Sequence, residues 1–203
     1  MASKTEIANR GLSKLGHGRV SNIETDNTKA AKVMNEMWDI VRNSLLTSYP
    51  WNFAIVRSSL AKDAEAPAWG YANQYTPPSD FLALLEIKND PDYRVEADSV
   101  NGLKIVTDAG APLKIRYIRL VENTGEYDPL FADALAAKLA VEACEILTQS
   151  NKKKEILIQE YRAALDAAYK SDAIQDPSQN LRDDEWLVAR NSSVYYNDID
   201  YNS

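Results

Sequence analysis

Few side chains in this chain have a type and spacing that match known chemistry. The one histidine, His17, lies between Gly16 and Gly18 and reads as an exposed loop residue rather than a general base. A Ser/His/Asp triad would have to use it, yet no Gly-x-Ser-x-Gly or similar motif surrounds any serine. The one cysteine, Cys144, sits in an alanine-rich run and reads as a small buried hydrophobe. One His and one Cys cannot assemble a structural zinc site. There is no Gly-rich phosphate loop, no His-Glu-x-x-His and no Cys-x-x-Cys. With 30 acidic residues, glycosidase-type carboxylate pairs are available in many places, and nothing marks one of them. The expectation is a protein that is not an enzyme, with no catalytic residue, no cofactor and no metal.

Two further groups could bind rather than react. Tyr49, Trp51 and Phe53 fall within five positions. Each can bury roughly 150–250 Å², so they read first as a packing anchor and second as a ligand pocket. Lys104, Lys114, Arg116 and Arg119 could form a basic patch; a solvated sheet face explains them equally and is preferred.

The elements that carry these residues follow from periodicity. Residues 27–54 organise the chain. A helix over Lys29–Thr47 places Ala30, Val33, Met34, Met37, Ile40, Val41, Ser44 and Leu45 on one stripe, with Asp26 and Asn27 as its expected N-caps. Pro50 ends it. Upstream, Ser3 and Glu6 form a capping box for a helix over residues 4–15 with Ile7, Ala8, Leu12 and Leu15 inside. Gly11 weakens that helix by about 1 kcal/mol, and Gly16 fits its left-handed C-cap. Strands are expected around Tyr71–Tyr75 and over 81–87, 93–97, 103–106 and 113–120. The sharpest turn is Asn101-Gly102, read as a two-residue hairpin. Asp128-Pro129 then opens a helix with Ala132, Ala136, Leu139, Ala140, Ala143 and Ile146 on one face. After Ser150-Asn151 a last helix carries Ile156, Leu157, Tyr161, Ala164, Leu165 and Ala168 and ends near Tyr169, antiparallel to the one before.

Composition bounds the partners. With 203 residues the chain can bury a real core. A net charge of −7 and a pI near 4.8 disfavour tight, non-specific binding to nucleic acid. The single thiol suits a reducing cytoplasm. Residues 130–147 come nearest to a membrane span but are interrupted by Asp133, Lys138, Glu142 and Glu145, so a soluble chain is expected. Residues 171–203 hold seven acids against Arg182 and Arg190, a net −5 of the whole −7. Trp186, Leu187, Val188, Val194, Tyr195, Tyr196 and Tyr201 are threaded through them. That mixture suggests an arm that orders against a partner, with the aromatics as anchors.

The ordered set of motifs resembles one family. It comprises Ala8-Asn9-Arg10-Gly11-Leu12-Ser13-Lys14-Leu15-Gly16, Glu24-Thr25-Asp26, Ala30-Ala31 and Tyr49-Pro50-Trp51-Asn52-Phe53-Ala54. It continues through Gly70-Tyr71, Pro77-Pro78-Ser79-Asp80, Ile115-Arg116-Tyr117, Tyr127-Asp128, Ala136-Ala137-Lys138-Leu139-Ala140 and Ala189-Arg190. The whole is similar to the tail tubular protein A family, the head-to-tail adaptors (connectors) of short-tailed bacteriophages. The resemblance implies a structural virion protein assembled in the host cytoplasm. It implies a homo-oligomeric ring, usually of twelve copies, between portal protein and tail nozzle, with a channel that passes DNA without binding it specifically. It implies no cofactor, and the lack of a long apolar run gives no expectation of a membrane partner. Trp186, Leu187, Val188, Arg190, Tyr195 and Tyr196 are carried over as portal or neighbour contacts.

The expected fold is α+β: an antiparallel bundle of about four helices with an inserted small antiparallel sheet region and an extended C-terminal arm. The divisions are 1–60 (N-terminal helices), 61–127 (β-rich insertion), 128–170 (C-terminal helix pair) and 171–203 (arm). Two other readings stay open at this point. One is a cell-wall-degrading glycoside hydrolase using two carboxylates; the other is a small cytoplasmic binding module using residues 49–53.

Overall fold

Asp128 caps the helix around which the rest is built. Its carboxylate accepts from the Leu130 N–H at 2.8 Å, and Pro129 takes the first helical position, where no N–H is needed. The computed structural model describes residues 2–98 and 102–175. Within them the protein is α+β, with helices α1 (Lys4–Leu15), α2 (Lys29–Thr47), α3 (Pro129–Thr148) and α4 (Asn151–Gln175), and two three-stranded antiparallel sheets. The other three helices all pack on α3. Its alanines make this possible: Ala134, Ala136, Ala137, Ala140 and Ala143 are buried, so helix backbones come close on several sides.

Helix α1 is built as its sequence predicts. The Ser3 hydroxyl accepts from the Glu6 N–H, and the Glu6 carboxylate accepts from the Ser3 N–H at 2.7 Å. That backbone bond holds the Glu6 carboxyl below its usual pKa. Gly16 is left-handed, with φ of 71°. Gly11, however, has a second role. A Cβ built there would lie 2.9 Å from the Ala136 carbonyl oxygen. The missing side chain is what lets α1 approach α3.

Three helical expectations are corrected. The N-cap of α2 is Thr28, whose hydroxyl accepts from the Ala31 N–H at 3.3 Å. Asp26 instead accepts from the Thr28 N–H at 2.9 Å, bracing the cap residue itself, and this bond lowers its pKa. Ile40, Ile146 and Ile156 face solvent rather than core. In α2 the buried stripe runs through Met34, Trp38, Val41 and Leu45. Ile40, two residues beyond Trp38, therefore points about 200° away. Finally, α4 does not end near Tyr169 but continues to Gln175, and Asp172 is still buried beyond the expected stop.

The strands are β1 (Ile55–Leu60), β2 (Asn73–Tyr75), β3 (Phe81–Ile87), β4 (Tyr93–Asp98), β5 (Gly102–Thr107) and β6 (Leu113–Arg119). The first sheet has the order β1-β6-β3 and the second β2-β5-β4. The expected single sheet region is thus two sheets, and it begins before residue 61. Strand β1 has no clean alternation to announce it. It forms because β6 offers a partner, with Ile55 opposite Ile118 and Leu60 opposite Leu113. Asp98 pairs with Gly102, so the β4–β5 connection is longer than the two-residue hairpin expected at Asn101-Gly102, although Gly102 does have a positive φ of 76°. Asn89 and Asp90 carry consecutive positive φ values of 70° and 48° where the chain turns after β3.

The first sheet lies between the helices and the second sheet. On one face Leu113, Ile115 and Tyr117 join Leu60, Ile87 and, from the second sheet, Tyr75 and Ile105 in a separate core. On the other face Ile118 joins the helical core, with Leu82, Ala83 and Leu85 packed beside it. Among the described residues no helix is long and apolar enough to cross a membrane.

Candidate functional site

His17 and Cys144, the residues weighed for catalysis and metal binding, both lie by the C-terminal end of α3. His17 is exposed, and its Nε2 lies 3.3 Å from the Leu147 carbonyl, near the C-terminal end of α3. Cys144 is buried, as expected, and its sulfur sits 3.2 Å from the Thr148 hydroxyl. Among the described residues no group of three or more His, Cys, Asp or Glu side chains could hold a metal ion.

The aromatics of residues 49–53 form a packed hub. Trp51 meets Tyr49 and Phe131 edge-on at 5.0 Å each, and Phe53 meets Phe131 at 4.9 Å. Tyr169 of α4 closes the other side, 4.6 Å from Tyr49 and 5.3 Å from Trp51. The Trp51 indole N–H donates to the Leu45 carbonyl at 2.9 Å, so even its polar handle is used internally. Tyr127 completes the cluster, and its hydroxyl donates to the Val121 carbonyl at 2.8 Å. Burial pushes the Tyr127 phenol up to about 12. The hub joins the exit of α2, the start of α3 and the end of α4.

The basic residues are sorted by the strand pleat. Lys104 is buried, with its Nζ 2.6 Å from the Asp63 carboxylate and 2.6 Å from the Thr76 hydroxyl. Arg119 pairs with Glu126. Neither belongs to a patch. Lys114 and Arg116 do share a face, the one turned away from the second sheet, and two residues not anticipated join them. Arg57 stands directly opposite Arg116 across the β1–β6 pair, and Lys88 follows β3, its N–H donating to the Lys114 carbonyl at 2.9 Å. With Ser59, Ile115 and Glu86 these side chains line an open cleft of about 380 Å³. Arg116 reaches Glu86 at 3.2 Å. Arg57, Lys88 and Lys114 have no carboxylate partner among the described residues. Arg57 could have been found only by recognising β1, since it and Arg116 are 59 positions apart in the chain, whereas Lys88 directly follows the expected strand β3.

Large apolar side chains lie on the surface. Trp69 is 88% exposed in the loop before β2, Ile40 is 75% exposed on α2, and Ile174 is 84% exposed on α4. The arm residues Trp186, Leu187, Val188, Arg190, Tyr195 and Tyr196 lie outside the described residues. Ser171 and Asp172, assigned to the arm by the sequence, belong to α4.

No family model matches the chain, and no curated protein matches it significantly.

Proposed function

We propose that this chain is a structural subunit, the head-to-tail adaptor of a short-tailed bacteriophage. In this reading its copies form a ring, of twelve in the family it resembles, between portal protein and tail nozzle, and the channel passes DNA. The observation that carries the reading is the exposure of Trp69, Ile40 and Ile174 on three separate elements. A heterologous ring presents different surfaces to its two neighbours and further ones to the parts above and below. Scattered large apolar groups suit that arrangement better than one ligand site, which concentrates them in a concavity.

The helical layer is read as an antiparallel four-helix bundle that carries the β layer and the C-terminal arm. Lys29 at the start of α2 reaches the Ile146 carbonyl near the end of α3, and Lys138 of α3 reaches Ser44 near the end of α2. Lys154 at the start of α4 pairs with Glu145 near the end of α3. The arm anchors Trp186, Leu187, Val188, Arg190, Tyr195 and Tyr196 are assigned to the portal or a neighbouring copy. The acidic balance suits a channel that must not hold phosphates.

The alternatives draw less support. A glycoside hydrolase needs two carboxylates facing its substrate, and the cleft on the first sheet presents one, Glu86. A binding module built on residues 49–53 would need an open aromatic surface, whereas Trp51 is buried.

Negative-stain imaging with mass determination, with and without portal protein, tests the proposal. A ring of defined copy number, alone or templated by portal, is expected. A species that stays monomeric beside portal protein overturns it.

A further inference from the structure

We propose that the basic cleft on the first sheet holds the acidic run Asp183-Asp184-Glu185 of the same chain. The cleft is short of negative charge. Arg57 and Arg116 face each other across an antiparallel pair, a like-charge contact that destabilises a sheet; Glu86 pairs with Arg116 and leaves Arg57 without a carboxylate among the described residues. Lys88 and Lys114 add two more cations, and Glu86 is the single acid. Four positive groups against one negative leave a surplus of +3; the run carries −3, reduced to −2 over the stretch once the adjoining Arg182 is counted.

Chain geometry favours the molecule's own segment. The described part of α4 ends at Gln175, three residues past Asp172, which is bonded to Asn52. Asn52 precedes Arg57 by five residues, a path of at most about 18 Å along the chain. Asp183 follows Gln175 by eight residues, which span up to about 28 Å when extended. The run therefore has the length to arrive at the cleft from the place where the chain leaves α4. A tether this short gives an effective concentration in the millimolar range, far above that of a second copy in dilute solution. The inference concerns the free chain and does not depend on the ring.

Zero-length carbodiimide cross-linking of the full chain tests it, using an equal mixture of isotopically light and heavy protein. Bonds from Lys88 and Lys114 to the peptide containing residues 183–185 are expected within one isotope, well above those from the exposed Lys32. They should fall several-fold in Arg57→Glu, which keeps both amines, and in about 1 M salt, where screening is nearly complete. Arg57→Gln serves if the charge reversal fails to fold. Cross-links between light and heavy chains would assign the cleft to a second copy and overturn the proposal. Yields no higher than at Lys32, or unchanged in the Arg57 variants, would also overturn it, leaving the cleft to another anion.

Discussion

The carboxylate of Asp172 accepts a hydrogen bond from the Asn52 backbone N–H at 3.0 Å, and the Asn52 side-chain amide donates to the Asp172 carbonyl at 2.9 Å. This two-way clasp ties the end of α4 to the turn that leads from α2 into β1. Asp172 is buried, so its charge serves the fold and not a solvated arm.

Asp172→Ala should cost about 1–3 kcal/mol, because it leaves the Asn52 N–H without its acceptor. Asp172→Asn keeps an acceptor oxygen and should cost less. Urea denaturation of both variants checks the order, and equal midpoints for wild type and Asp172→Ala would remove the clasp from the account of stability.

Gly11→Ala sets two effects against each other. Helix propensity alone predicts a gain of about 1 kcal/mol. The new Cβ would fall 2.9 Å from a backbone oxygen, which cannot swing away as a side-chain tip can. Overpacking of this kind costs about 1–3 kcal/mol, so a net loss is expected. A raised melting temperature would show that α1 can shift freely on α3.

The buried pair Lys104–Asp63 should respond unequally to its two truncations. Asp63→Ala leaves a buried ammonium whose one other hydrogen-bond partner among the described residues is the Thr76 hydroxyl, and is expected to cost about 3 kcal/mol. Lys104→Met retains the apolar stem and should be milder. The more exposed pair Arg116–Glu86 is the control, since its removal should change stability by less than about 1 kcal/mol.

Burial and the hydrogen bond donated to Asp80 at 2.9 Å raise the Tyr117 phenol to about 12, above its ordinary value near 10. The folded pKa exceeds the unfolded one. The associated stability is therefore complete below pH 10 and is lost as pH rises through about 12. Tyr117→Phe should be about 1 kcal/mol less stable at pH 8 and should lose less than wild type between pH 10 and 12. Phenolate absorbance and urea midpoints, read together across that range, check the sign.

Local chemistry was legible because it acts within a few residues. The capping box at Ser3 and Glu6, the left-handed Gly16, the Asp128-Pro129 start and the limits of α2 and β3 each depend on neighbours three or four positions away. The α+β class follows from the same short-range periods. The burial of Cys144 was legible too, from the alanine-rich stretch around it.

What the tertiary structure decided depends on partners distant in the chain. Strand β1 exists because β6 pairs with it, and Arg57 meets Arg116 only through that register. Lys104 and Lys114 look alike in sequence, yet the pleat and the loop carrying Asp63 bury one in an ion pair and leave the other in the cleft. Gly11 reads as a weak point in an isolated helix and becomes a point of contact once α3 lies against it. A sequence states what each residue prefers; which residue it must share space with is set only when the layers close.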